Sequence, residues 1–344
     1  MTILIRHISK AMLMGGLIMI LVALSNSLFA QESESLKLRL GDVSMNKLPF
    51  IIAYDEGIFE KNGINLQPMF TRSSVNIIRR SGVDVPEEFI LTGDEFTPIR
   101  VGGAAPSIVR LTTQAGQWDP IILGSTHREA RWRIISRPDI TSVDQLKGMR
   151  IGYNTVGSVT HMYAVAFAQA MGWDPRFDVS LLGDSLGVGV LINGHVDAVI
   201  GPELHATMAI DAGFRDLEDL GKYNIPIAGS SFLVDREWLR NNREMARRFI
   251  RSAVEAVAMM KTDRNSAFQT MSKWYQMNDP EIMEHFYDEA EKVPRKPYPP
   301  VEGIRKVMEL YDSHEMRKYT LEHFYDDSFI RELDDSGFID NLYE

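Results

Sequence analysis

The stretch RIGYNTVGSVTHMYAVAFAQAMGW, residues 150–173, runs from a short β-branched strand through a glycine-bearing turn into an amphipathic helix. The unit recurs along the chain, and it narrows the fold more than any other feature. Strands and helices alternating at this spacing point to an α/β protein with a mainly parallel sheet. Leu36-Lys37-Leu38-Arg39-Leu40 alternates apolar and charged residues, as a strand with one buried face does. Pro49 opens a helix that runs towards Gly63, a good left-handed stop, and Ile64–Met69 is the next strand. Ser142-Val143-Asp144-Gln145 is a capping box for a short helix ended by Gly148. Met149–Tyr153 is a strand, Thr160–Met171 a helix closed by Gly172, and His195–Gly201 a buried strand after a helix that ends at Gly194.

From Asn241 the texture becomes helical. Met245, Phe249, Ala253, Val257 and Met260 recur at helical spacing. Further helices are expected over 265–276, 280–291, 301–312 and 326–334, with a proline-rich loop between Lys292 and Pro300.

The first thirty residues read as a secretory signal peptide. Arg6, His7 and Lys10 precede an apolar run from Ala11 to Leu24, and Leu28-Phe29-Ala30 supplies a small-residue exit. That run is short against the roughly 20 residues a membrane span needs; an uncleaved N-terminal anchor is the alternative. The chain has no cysteine, which excludes a lipid anchor, thiolate metal sites and disulfides. Such an exported chain is expected in the periplasm. Without the signal, 35 basic residues stand against 47 acidic ones, a net charge of −12. That balance argues against nucleic acid and anionic membranes as partners.

Candidate site residues follow from strand ends, since ligands of open α/β sheets bind beyond the carboxyl ends of the strands. The turn Asn154–Thr160 lies at such an end. Ser158 and Thr160 offer hydroxyls, and the N–H groups of Gly157, Ser158, Val159 and Thr160 can face an oxyanion or carbonyl; an ordinary strand-to-helix connection is the alternative. Ser44 and Asn46 follow the first strand, where Asn46 is a ligand contact or a helix cap. Gly103 and Ala104 sit in a second glycine-bearing helix start, for N–H presentation or close packing. Glu203 follows the 196–201 strand as a ligand acceptor or a surface carboxylate. In the cluster Arg128, Arg131 and Arg133, a solvated face accounts for at least two of the three. There is no His-x-x-x-His or His-Glu-x-x-His zinc pattern and no Gly-x-Ser-x-Gly elbow, so neither a metal, a cofactor nor enzymatic chemistry is expected.

Three stretches in order, LPFIIAYDEGIFEKNGINLQP, ITSVDQLKGMRIGYNTVGS and LINGHVDAVIGPE, resemble periplasmic binding proteins of the nitrate, sulfonate and taurine type. The tail RKPYPPVEGIRKVMELY is similar to that group too, whose superfamily includes binders of thiamine-pyrimidine precursors. The resemblance implies a type 2 two-lobed clamp: residues 36–125 with 230–344 in one lobe, and 126–229 inserted as the other. Its hinge would be two chain crossings, near Ser125-Thr126-His127 and Gly229-Ser230-Ser231, which brings Thr126 and His127 to the site. It also implies docking of a monomer on an ABC permease with its ATPase. The expected ligand is a small organic anion; a neutral pyrimidine-like precursor, or a sensor role beside a membrane receptor, are the alternatives. Between Met69 and Gly102 the family's Gly-x-x-Asp strand is missing, so the pairing of that region is an open question.

Overall fold

The computed structural model describes residues 34–42, 44–80, 83–93, 97–113, 118–129, 131–185, 187–201 and 203–344. The signal-peptide reading falls on residues 1–30, outside them. In chain order the elements are β1 (Glu34–Leu40), α1 (Leu48–Asp55), α2 (Ile58–Lys61), β2 (Ile64–Phe70), α3 (Arg72–Arg80), β3 (Ile99–Gly103), α4 (Ala104–Thr113) and β4 (Pro120–Ser125). Then come β5 (Arg133–Ser136), β6 (Arg150–Gly152), α5 (Val159–Ala170), β7 (Ser180–Leu182), α6 (Val188–Ile192), β8 (Ala198–Gly201), α7 (Glu203–Asp211) and β9 (Arg215–Asp219). The chain ends with β10 (Ser230–Asp235), α8 (Arg236–Asn241), α9 (Arg243–Thr262), α10 (Arg264–Tyr275), α11 (Pro280–Glu291), α12 (Val301–Leu310), α13 (Ser328–Asp335) and α14 (Phe338–Asn341).

Two five-stranded sheets form, in the orders β2-β1-β3-β10-β4 and β7-β6-β8-β5-β9. Apart from one reversed strand in each sheet, the described pairings leave the strands running in a common direction, in keeping with the mainly parallel expectation. β10 runs antiparallel to both β3 and β4, and β5 antiparallel to both β8 and β9. Helical periodicity gives no strand direction, and these are the strands flanking the two passages between sheets.

Among the described residues from Met69 to Gly102 no aspartate-bearing strand is present. β1 pairs directly with β3 in parallel, Leu38 opposite Ile99 and Leu40 opposite Val101. Between β2 and β3 the described residues form α3, a short 3-10 turn at Glu87–Phe89 and a bridge from Phe70 to Ile90. The helix expected from Pro49 to Gly63 is broken at Gly57, whose φ of 66° no ordinary helical residue adopts.

One core packs α1, α9 and α10 on the face of the first sheet that carries Leu38, Leu40, Val101 and Phe232. The Phe249–Ala253–Val257–Met260 stripe of α9 is buried there. A second core joins Ile122 and Leu233 of the first sheet to Ile134, Ile151 and Ile200 of the second, through α4 and α5. Leu36–Glu344 is accordingly one compact unit. The two passages between sheets are tied to each other where they start: the Thr126 N–H donates to the Ser230 carbonyl (3.0 Å), as does the Ser125 hydroxyl (2.9 Å).

Candidate functional site

A cavity of about 440 Å³ opens between the two sheets. Gly41, Asp42, Ser44, Ser230 and His127 line it from the first sheet and the crossings, and Asn154, Ser158, Val159 and Thr160 from the start of α5. The same cavity is also lined by Arg39, Arg100, Arg110, Ser73, Ser74, Ser107 and Trp118, a group that includes two α4 residues and is called its second arm.

The first arm is organised by Lys47, a lysine with only 1% of its surface exposed. Its Nζ lies 2.7 Å from Asp42, 3.0 Å from the Ser44 hydroxyl, 3.3 Å from Asn46 Oδ1 and 3.0 Å from the Ser230 hydroxyl. Burial would raise the Asp42 carboxyl, but the Lys47 charge, with hydrogen bonds from Lys47 and Ser44, holds it below the usual carboxylate range. Asn46 in turn places Nδ2 3.4 Å from His127 Nδ1, while His127 Nε2 meets the Tyr163 hydroxyl at 3.0 Å. Burial, with Arg131 and Lys47 nearby, pushes His127 down to about 3, so it is a neutral imidazole at physiological pH.

Sequence reasoning missed the second arm. Arg39 on β1 is the direct register partner of Arg100 on β3, so both point from one face of the sheet. Arg110 joins them from the last turn of α4. Burial lowers Arg39, and the charge of Arg110 adds to it. Arg100 is pushed down to about 10 by burial and by Arg39 and Arg110. Among the described residues no carboxylate pairs with any of the three. Arg100 is held in place by the Thr97 carbonyl (3.3 Å) and by stacking 3.9 Å over the ring of Trp118. The indole N–H groups of Trp118 and Trp132, both on the cavity wall, are buried without an acceptor.

Several N–H groups of the glycine turns find partners within the protein. The Gly157 N–H donates to His161 Nδ1 (3.2 Å), and the Ser158 N–H to the Thr155 carbonyl (2.9 Å). Neither faces the cavity as a free donor. The N–H groups of Ala104 and Ala105 donate to the carbonyls of Gly229 and Ala228, both at 2.9 Å. A Cβ on Gly157 would come within 2.8 Å of Val109, and one on Gly103 within 2.8 Å of Val159. These glycines let α4 and the start of α5 approach closely.

Of the residues singled out from sequence, Ser44, Gly103, His127, Asn154, Ser158, Val159 and Thr160 line the cavity. Asn46 stands behind it, through Lys47 and His127. Ala104, Thr126 and Gly157 are taken up in packing and backbone hydrogen bonds. Glu203 begins α7. Arg133 pairs with Asp216 (2.6 Å) and Asp219 (3.3 Å), as a solvated-face residue does.

The Ser158 hydroxyl caps α5, accepting from the His161 N–H at 3.2 Å and lying 2.9 Å from Thr160 Oγ1. Ser158→Ala should therefore cost about 1 kcal/mol in urea unfolding. An unchanged midpoint would mean the cap contributes nothing.

No protein-family model matches the chain, and no curated protein matches it. Solved structures do. The periplasmic nitrate-binding protein NrtA of Synechocystis PCC 6803 superposes with a TM-score of 0.67 at 13% identity, covering 91% of each chain. The alkanesulfonate-binding protein SsuA of Xanthomonas axonopodis pv. citri, bound to MOPS, gives 0.60 at 15%, covering 81% of this chain and 91% of its own. The desulfurization enzyme DSZB gives 0.59 at 16%, covering 88% and 99%. The chain thus has the α/β fold of the periplasmic binding proteins. Within it, the nitrate- and sulfonate-binding proteins to which its sequence stretches are similar are among its structural neighbours.

Proposed function

We propose that the chain is the solute-binding component of an ABC importer and captures a small organic anion in the cavity between its two sheets. The observation that carries this reading is the cavity itself, lined from both sheets and bearing three arginines with no described counter-ion. The sheets act as the cores of two lobes, 36–125 with 230–344 and 126–229. Closure about the crossings at Ser125–His127 and Gly229–Ser231 traps the ligand by contacts from both sides, the only way it can favour the closed state. Sulfonates, carboxylates and inorganic oxyanions all suit the arginines, whereas a neutral pyrimidine precursor would leave their charge uncompensated. The reading places the protein in a periplasm as a monomer whose closed form docks on a permease and its ATPase; among the described residues no helix is long and apolar enough to cross a membrane.

The test is thermal unfolding of residues 31–344 against sulfonates, carboxylates, nitrate, bicarbonate and pyrimidines. A ligand at 100 times its dissociation constant should stabilise by about 2.7 kcal/mol. Stabilisation by pyrimidines alone would keep the clamp and discard the anion.

DSZB shows that this fold also hosts an enzyme, and one of its structures is a cysteine-to-serine mutant holding biphenyl-2-sulfinic acid. This chain has no cysteine. A binder should return its bound compound chemically unchanged, and recovery of a converted product would revive the enzyme reading.

A further inference from the structure

We infer that the second arm is a subsite for a doubly charged anionic group, held by Arg39, Arg100 and Arg110, so that the ligand is at least a dianion. This rests on the reading of the cavity as a ligand site and says which charge it selects.

Like charges directly opposite one another on neighbouring strands are destabilising, yet Arg39 and Arg100 are register partners and half-buried. Arg110 adds a third positive charge to the same arm. Among the described residues, the acids around them are engaged in other contacts, although Asp235 also acts on Arg100 through its charge. Asp42 is matched by Lys47 at 2.7 Å. Asp235 caps α8 through the Trp238 N–H at 2.9 Å. Asp119 pairs with Arg236 at 2.8 Å and His323 at 3.2 Å. His127 carries no charge to alter the balance. A single negative charge in this arm would leave two of the three guanidinium charges unmatched; a dianion leaves one.

The chemistry of the wall suits such a group. Guanidinium forks match the oxygens of phosphate, phosphonate and carboxylate. The hydroxyls of Ser73, Ser74 and Ser107 line the same arm. Ser73 and Ser74 sit in the first turn of α3, whose N–H ends favour negative charge. Arg100 is pre-set by Trp118 and the Thr97 carbonyl, so little side-chain freedom is lost when an oxyanion arrives.

The test compares ligands of one shape and different charge. Phenylphosphonate and benzenesulfonate are titrated at pH 8.5, following tryptophan fluorescence and unfolding temperature, with inorganic phosphate, succinate and nitrate as smaller probes. Expected is at least tenfold tighter binding of phenylphosphonate than of benzenesulfonate, and of phosphate than of nitrate. Succinate separates a paired-carboxylate ligand from a tetrahedral one. Arg39→Gln and Arg100→Gln should each weaken dianion binding roughly tenfold to a hundredfold, while leaving the ligand-free protein as stable as the parent or more so. A merely structural arginine would show the reverse, a loss of ligand-free stability with binding intact.

Monoanions binding as tightly as dianions, with both variants indifferent, would overturn the dianion subsite and leave the anion-binding reading standing. No stabilisation by any anion, in parent or variants, would overturn both.

Discussion

Gly303→Ala should cost about 3 kcal/mol, the upper end of what overpacking exacts, and lower the unfolding temperature by roughly 5–10 °C. The reason is local. Gly303 lies in the first turn of α12, which rests on the second passage between sheets. A Cβ there would sit 2.0 Å from the carbonyl carbon and oxygen of Ile227 and 2.4 Å from the Ala228 nitrogen. These are backbone atoms, so no side-chain rotation relieves the clash. Ala228 also accepts the Ala105 N–H at 2.9 Å, so the displacement propagates to the start of α4 and the cavity wall. Gly102→Ala is the internal control. It lines the same cavity, has open space around its missing Cβ and no positive φ, and should change stability by no more than about 0.5 kcal/mol. Equal unfolding midpoints for the two variants would sink the packing argument.

The contrast between these glycines shows what a sequence can and cannot carry. The strand–turn–helix at residues 150–170 was legible because strand alternation, a capping serine and helical periodicity are local signals. The same holds for the capping box at Ser142, whose reciprocal bonds with Gln145 form as its spacing suggests. Gly103 and Gly157 each allowed a ligand-facing or a purely structural reading, and the side chains they pack against, Val159 and Val109, are partners that only the tertiary fold supplies. Lys37 and Arg39 alternate with leucines in a way that reads as a solvated strand face. In the structure that face carries the arginine arm, and parallel register brings in Arg100 from far along the chain. Lys47 left no signal at all, because a fully buried lysine is too rare a use of that residue to be assigned from pattern. The neighbours of the cavity were thus legible, and its charge was not.

Replacing Lys47 by methionine should cost about 2 kcal/mol at neutral pH, and the cost should shrink as the pH falls. Methionine keeps most of the buried stem but removes the charge that Asp42 faces and the donor shared by Ser44, Asn46 and Ser230. Removing one partner of a fully buried pair costs roughly 3–5 kcal/mol. The figure here is lower because the Asp42 side chain is 41% exposed and water can answer part of its charge. The pH dependence follows from two groups. Asp42 is depressed in the fold, so its contribution is present above the unfolded value of about 3.9 and is lost as pH falls through the folded one. The variant has no such contribution to lose. His127 is depressed to about 3, and the parent therefore loses stability between about 6.5 and 3 as the unfolded chain takes up the proton. Part of that depression comes from Lys47, so the variant loses less. Both effects close the gap between parent and variant in acid, and neither opens it. Urea unfolding of the two chains at pH 7.5, 5 and 3.5 reads the difference directly. A gap that stays constant or widens towards pH 3.5 would show that the Lys47 charge does not set the electrostatics of the first arm. Ligand binding by the variant would then have to be explained through the arginines alone.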